Sequence, residues 1–151
     1  MALKNNCKGF TILELVAIML ILSIIAAIAV PNVLSSVNSY RLSCFERIIM
    51  TDIRYAQQQS SVNWRQNRVY FSNTNRKIYV KQGTHIIKSD SYPAYVKINR
   101  TNFPNNQIEF NEFGNPSRGG SIHISCGNIK HTITVLPVTG RVKLYEYEKY
   151  Q

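Results

Sequence analysis

Acidic side chains are scarce in this chain. Eight Asp and Glu stand against 18 Lys and Arg in 151 residues, a formal net charge of +10. Cysteine is also sparse, with three residues, which excludes a disulfide-dense scaffold. Gly and Pro are absent from Asn32 to Gln66, so nothing in that stretch stops a helix. There is no Gly-rich phosphate loop and no nucleophile elbow. Asp52, Glu109 and Glu112 are too scattered for a calcium loop or a pair of catalytic acids. His85, His123 and His131 lack metal-ligand spacing and have no acid close by in sequence, and they read as structural or surface histidines. We therefore expect no metal, no cofactor and no catalytic residue, hence not an enzyme. The length excludes a large multidomain enzyme. The mean hydropathy of −0.17 looks ordinary, but it averages two unlike parts.

The first part is a long apolar run. From Phe10 to Val30 there is a single charged residue, Glu14. At about 1.5 Å per residue, a helix over these residues spans about 31 Å, enough to cross a bilayer. Lys4 and Lys8 precede the run, which favours a cytoplasmic N-terminus with the bulk of the chain on the other side. A secretory signal peptide is an alternative, with Ala26-Ala27-Ile28-Ala29 as its cleavage region, but its apolar stretch is about 7–15 residues. A plain signal anchor explains the length but not Glu14. A carboxylate in a membrane helix costs about 2.5–3.5 kcal/mol on insertion scales, so it needs a partner.

Lys8-Gly9-Phe10-Thr11-Ile12-Leu13-Glu14-Leu15-Val16 resembles the N-terminal signal of type IV prepilins and pseudopilins. That signal is a short basic leader ending in Gly, then Phe, then Glu at the fifth mature position. The resemblance implies that a prepilin peptidase cuts between Gly9 and Phe10, that the Phe10 amine is methylated, and that the apolar helix becomes the packing core of a filament. Phe10 and Glu14 would then set the register between subunits, because a paired charge is tolerable in an apolar setting where a lone one is not. Pro31 stands where the family commonly has a helix-kinking proline. It lacks an N–H and clashes with the preceding turn.

Beyond Pro31 an apolar pattern with helical spacing continues. One row is Tyr40, Cys44 and Ile48; a second is Phe45, Ile49, Ile53 and Ala56. Arg41, Arg47, Arg54 and Gln58 fall largely between them. From Arg68 onward the period shifts toward two. Strands are expected at Arg68–Phe71, Lys77–Lys81, His85–Lys88, Ala94–Ile98, Gln107–Phe110, Ser121–Ser125, Thr132–Leu136 and Arg141–Tyr147, separated by turn-forming residues. The expected class is α+β and pilin-like: a long N-terminal helix, hydrophobic then amphipathic, packed on a C-terminal antiparallel β-sheet region. In segments, residues 1–9 form the leader, 10–30 the transmembrane and filament-core helix, 31–66 its amphipathic continuation, and 67–151 a basic β-rich globular domain.

A second resemblance covers most of the chain. Asp52-Ile53-Arg54-Tyr55-Ala56-Gln57-Gln58-Gln59, Phe113-Gly114-Asn115-Pro116, Gly119-Gly120 and Val135-Leu136-Pro137-Val138-Thr139-Gly140-Arg141-Val142 are similar to the GspH/FimT-type minor pilins. This implies a subunit of a type II secretion pseudopilus, a type IV pilus or a competence pilus, with the prepilin peptidase, other pilins and the membrane as partners. It also implies an inner-membrane anchor with the globular domain periplasmic or extracellular.

Some such pilins are implicated in DNA uptake, and the charge fits. Without the leader and Glu14, 16 basic and 7 acidic residues remain, a net +9. Gly140-Arg141-Val142-Lys143 is similar to a Gly-Arg-x-Arg element of DNA-binding minor pilins, and makes Arg141 and Lys143 the candidate DNA contacts. Nine tyrosines and Trp64 offer stacking surfaces; the competing reading is ordinary surface charge and sheet-forming tyrosines. Cys7 leaves with the leader. Cys44 and Cys126 are either a helix-to-sheet disulfide or, for Cys44, a small buried apolar residue.

Overall fold

The computed structural model describes residues 10–137 and 140–146. The chain divides into two units, Met1–Ser36 and Val37–Gln151, and one helix, α1 (Ile12–Asn63), has residues in both.

In the first unit every described side chain is exposed, including Ile12, Leu13, Leu20, Ile24 and Ile28. Helix assignment continues through Pro31. Ser23, Asn32 and Ser36 each hydrogen-bond the carbonyl four residues back, at 2.7, 3.2 and 3.1 Å. Their polar groups are thereby satisfied within an otherwise apolar helix.

In the second unit the rest of α1 lies against two antiparallel sheets. The first comprises β1 (Asn67–Ser72), β2 (Lys77–Gln82), β3 (His85–Ser91) and β5 (Gln107–Phe110), in the order β3-β2-β1-β5. The second comprises β4 (Val96–Thr101), β6 (Gly120–Cys126), β7 (Ile129–Val135) and β8 (Val142–Glu146), in the order β4-β6-β7-β8. Alternate strand residues turn inward: Val69 and Phe71, Ile78 and Val80, Ile108 and Phe110, Ile122 and Ile124, Ile133 and Val135. They enclose Leu42, Phe45, Ile49, Ile53 and Ala56 of the helix, all at most 2% exposed. One apolar stripe on the helix and one face of each sheet make a single core.

Several positions differ from the sequence expectation. The helix ends at Asn63 and β1 begins at Asn67. The fourth strand starts at Val96 and reaches Thr101, because Pro93 to Tyr95 form a turn closed by the Val96 N–H on the Pro93 carbonyl at 3.2 Å. The row Phe45, Ile49, Ile53, Ala56 is buried, but Tyr40 and Cys44 are exposed and Leu42 takes their place in the core. The expected row pointed to one side of the stripe that the sheets cover.

Cys44 and Cys126 are both free thiols, so the expected disulfide and the buried Cys44 are both corrected. Cys126 is buried and faces Asn38, with Sγ 3.7 Å from Oδ1. Asn38 lies six residues before Cys44, about 120° around the helix from it at 3.6 residues per turn. The helix therefore turns a different face to β6.

Candidate functional site

The first candidate site is the start of α1. Thr11 precedes the helix, and its Oγ1 accepts the Glu14 N–H at 3.2 Å while its carbonyl accepts the Leu15 N–H at 3.2 Å. Thr11 is thus the N-cap and Glu14 the third helical residue, the Thr-x-x-Glu spacing of a capping box. Glu14 also supplies the acid of the first turn, where the helix dipole favours a negative charge. This capping role was legible in the sequence spacing and missed. Phe10 is 77% exposed. Gly9 lies outside the described residues.

The second candidate is the β8 region. The strand begins at Val142, so Arg141 sits in the preceding turn rather than in the strand, and Tyr147 lies outside the described residues. Arg141 and Lys143 are both exposed. The Arg141 carbonyl accepts the Leu136 N–H at 2.9 Å, which closes the turn. Lys143 pairs in register with Thr134, and Thr134 with Ser121, which places all three on the face turned away from the helix.

Three of the four stretches of the second resemblance meet at one point of the helix, Gln57. Gly114 has φ +78°, and a Cβ there would stand 2.2 Å from Ser61 Oγ and 3.0 Å from the Gln57 carbonyl. Gly140 has φ +63°, and a Cβ there would stand 2.6 Å from Gln57 Nε2. Ser61 Oγ donates to the Phe113 carbonyl at 3.0 Å. Only glycine allows both loops this close approach. This cluster has a structural purpose: it clamps the Phe113-Gly114 turn and the β7–β8 turn to the helix.

Several of the aromatic residues engage each other. Tyr70 and Tyr79 stack across β1 and β2 with centroids 6.3 Å apart, under Lys81 Nζ. Trp64 meets Phe113 edge-on at 5.7 Å, and Tyr92 is buried. These contacts favour sheet and loop packing as their role.

Sequence reasoning passed over two buried charge clusters. Glu46 of α1 contacts His131 Nδ1 of β7, with side chains 5% and 6% exposed. His131 therefore has an acid neighbour after all, 85 residues away in sequence. Asp52, one and a half turns further along α1, meets Lys88 of β3 at 2.5 Å, and Lys88 also meets Asp90 at 2.9 Å. One polar pair thus ties the helix to each sheet. Among the described residues, no three His, Cys, Asp or Glu side chains group as a metal site.

Asp52 carries a pH prediction. Its carboxyl is pushed from 3.8 up to about 6 by desolvation, against the opposing hydrogen bond and charge of Lys88. A raised acid binds its proton more readily folded than unfolded. Its contribution to stability is therefore fully present below about pH 4 and is lost as pH rises through about 6. Chemical denaturation at pH 4 and pH 7 should show wild type losing stability relative to Asp52→Asn as pH rises. A pH-independent difference between the two proteins would refute the assignment.

The comparisons with known proteins agree with this geometry. Residues 4–30 match the family model for the prokaryotic N-terminal methylation motif. The chain thus joins a prepilin-type N-terminus to a pilin fold, one long helix followed by antiparallel sheets. Among solved structures, it is similar to the type IV minor pilin FimU of Pseudomonas aeruginosa, at 10% identity and a TM-score of 0.58. The match covers 71% of this chain and 89% of that one. No curated protein matches it in sequence.

Proposed function

We propose that this protein is a minor type IV pilin or pseudopilin, a non-enzymatic filament subunit anchored in the inner membrane with its globular unit on the far side. The observation that carries the reading is a fully exposed apolar helix start, Phe10 to Val37, behind a methylation motif. Such a surface is stable only in lipid or against equivalent helices. Assembly is the mechanism. The peptidase cuts after Gly9, Phe10 is methylated, and the helix leaves the bilayer for a filament in which the Phe10 ammonium and Glu14 neutralise each other. Mass spectrometry of the mature protein is expected to give a methylated Phe10 at the N-terminus. A chain starting at Val30 would make the apolar run a removed signal peptide. The machine served is a type II secretion, type IV pilus or competence system, and the genes beside this one discriminate among them.

A second reading makes the globular unit a DNA-capturing surface. It is supported by the net charge and by exposed Arg141 and Lys143 at the start of β8. Gel shifts with duplex DNA should then weaken as salt rises, and Arg141→Ala with Lys143→Ala should flatten that dependence. No shift at low salt would remove this reading and leave the filament reading intact.

A further inference from the structure

Three cations, Arg76, Lys97 and Arg100, line a cleft along the edge strand β4, at the turn between β1 and β2. Two adjoining lobes of about 240 and 380 Å³ share Asn73, Ile98 and Asn99 in their walls. No acid lines either lobe. The ion pairs among the described residues use Arg68, Lys88 and His131, not these three.

A β-bulge builds the cation pair. Ile98 is opposite Ile124, but the next pairing is Arg100 with His123, so Asn99 is the extra residue. In regular alternation Arg100 would share the inward face of Ile98. The bulge returns it to the face of Lys97, whose register partner is Ser125. Asn99 is on that face too, since Ser125 Oγ donates to its Oδ1 at 3.1 Å, leaving the amide nitrogen as a donor.

The opposite wall is held in place. Asn73 Nδ2 donates to the Ile98 carbonyl at 3.1 Å, and Tyr92 Oη donates to Asn73 Oδ1 at 3.1 Å. Arg76 adopts a left-handed conformation, φ 49°, uncommon for a residue with a side chain, and its carbonyl accepts the Tyr92 N–H at 3.0 Å. Arg76 and Lys97, from different sheets, thus line the larger lobe, and Arg100 lines the smaller one beside it.

We infer that this cleft binds a phosphate-type oxyanion. A tetrahedral anion accepts donors from more directions than a planar carboxylate, and the larger lobe offers a guanidinium and an ammonium, the smaller a guanidinium, as charge-assisted donors. Water-sized groups occupy about 30 Å³ each, so either lobe takes a phosphate. The phosphate arrives either free or within a phosphodiester chain. The site is separate from Arg141 and Lys143, and it does not depend on how the filament assembles.

The test uses the full chain in nonionic detergent, with pyrophosphate as the probe and amide NMR shifts as the readout. Shifts are expected at residues 73–76 and 97–101. Lys97→Ala with Arg100→Ala should weaken binding about tenfold or more while the melting temperature holds, since both side chains are exposed. Arg76→Asn, which tolerates the left-handed turn, should also weaken it. Arg141→Ala with Lys143→Ala should leave it unchanged. Tighter, salt-sensitive binding of a short thymidine oligonucleotide would assign the phosphate to a phosphodiester chain, and equal or weaker binding to a free phosphate. Wild-type affinity in the Lys97/Arg100 variant, or shifts confined to other residues, would overturn the site.

Discussion

Glu46→Ala should destabilise the globular unit by about 1–3 kcal/mol, the usual cost of leaving a buried polar group without its hydrogen-bond partner. The partner it strands is His131, on a central strand of the second sheet and 5% exposed. His131→Leu should also destabilise, because Glu46, 4% exposed, then loses the imidazole it contacts. The double variant Glu46→Leu with His131→Leu should cost less than either single change. It removes both polar groups and replaces them with apolar volume. Denaturant unfolding followed by circular dichroism measures all three. Additive costs in the double variant, or a loss under about 1 kcal/mol in Glu46→Ala, would show that the contact carries little energy.

Glu14 has two roles that one substitution can separate. In the single chain its N–H is capped by the Thr11 hydroxyl, and the Thr-x-x-Glu spacing is one that accepts Gln as readily as Glu. In the filament reading its charge neutralises the ammonium of Phe10 among packed apolar helices. Glu14→Gln should therefore leave helix start, membrane insertion and cleavage intact while filament incorporation falls. Losing a buried pair costs about 3 kcal/mol or more, roughly a hundredfold in an assembly equilibrium. Glu14→Ala adds the smaller loss of dipole and cap, under about 1 kcal/mol. Comparing the filament-bound fraction of wild type, Gln and Ala variants decides between the roles. Wild-type incorporation of the Gln variant would falsify the charge pairing and leave Glu14 a helix cap.

Legibility in the sequence followed range. The apolar run, the Gly9-Phe10 pair, Glu14 four residues after Phe10 and the Thr11 cap are all local, and each can be read from neighbours within a few positions. Strand alternation was legible for the same reason, as in Val69 and Phe71 or Ile122 and Ile124, whose inward faces follow from a period of two. The row Phe45, Ile49, Ile53, Ala56 followed from helical spacing.

Tertiary structure decided the rest. Which edge of the helical stripe was covered depended on where two sheets closed over it, so Leu42 went in and Cys44 stayed out. Glu46 and Asp52 look like solvent-facing helix charges in sequence, yet both are buried, because their partners come from strands 85 and 36 residues away. Lys97 and Arg100 are three apart, a spacing that puts strand residues on opposite faces, until a single bulge at Asn99 brings them together. The sequence by itself determined where this chain is apolar, where it is helical and how it alternates along its strands, since those depend on contacts between near neighbours. Charge pairing and the cation cleft depend on contacts between distant ones, and only the packing of two sheets on one helix created them.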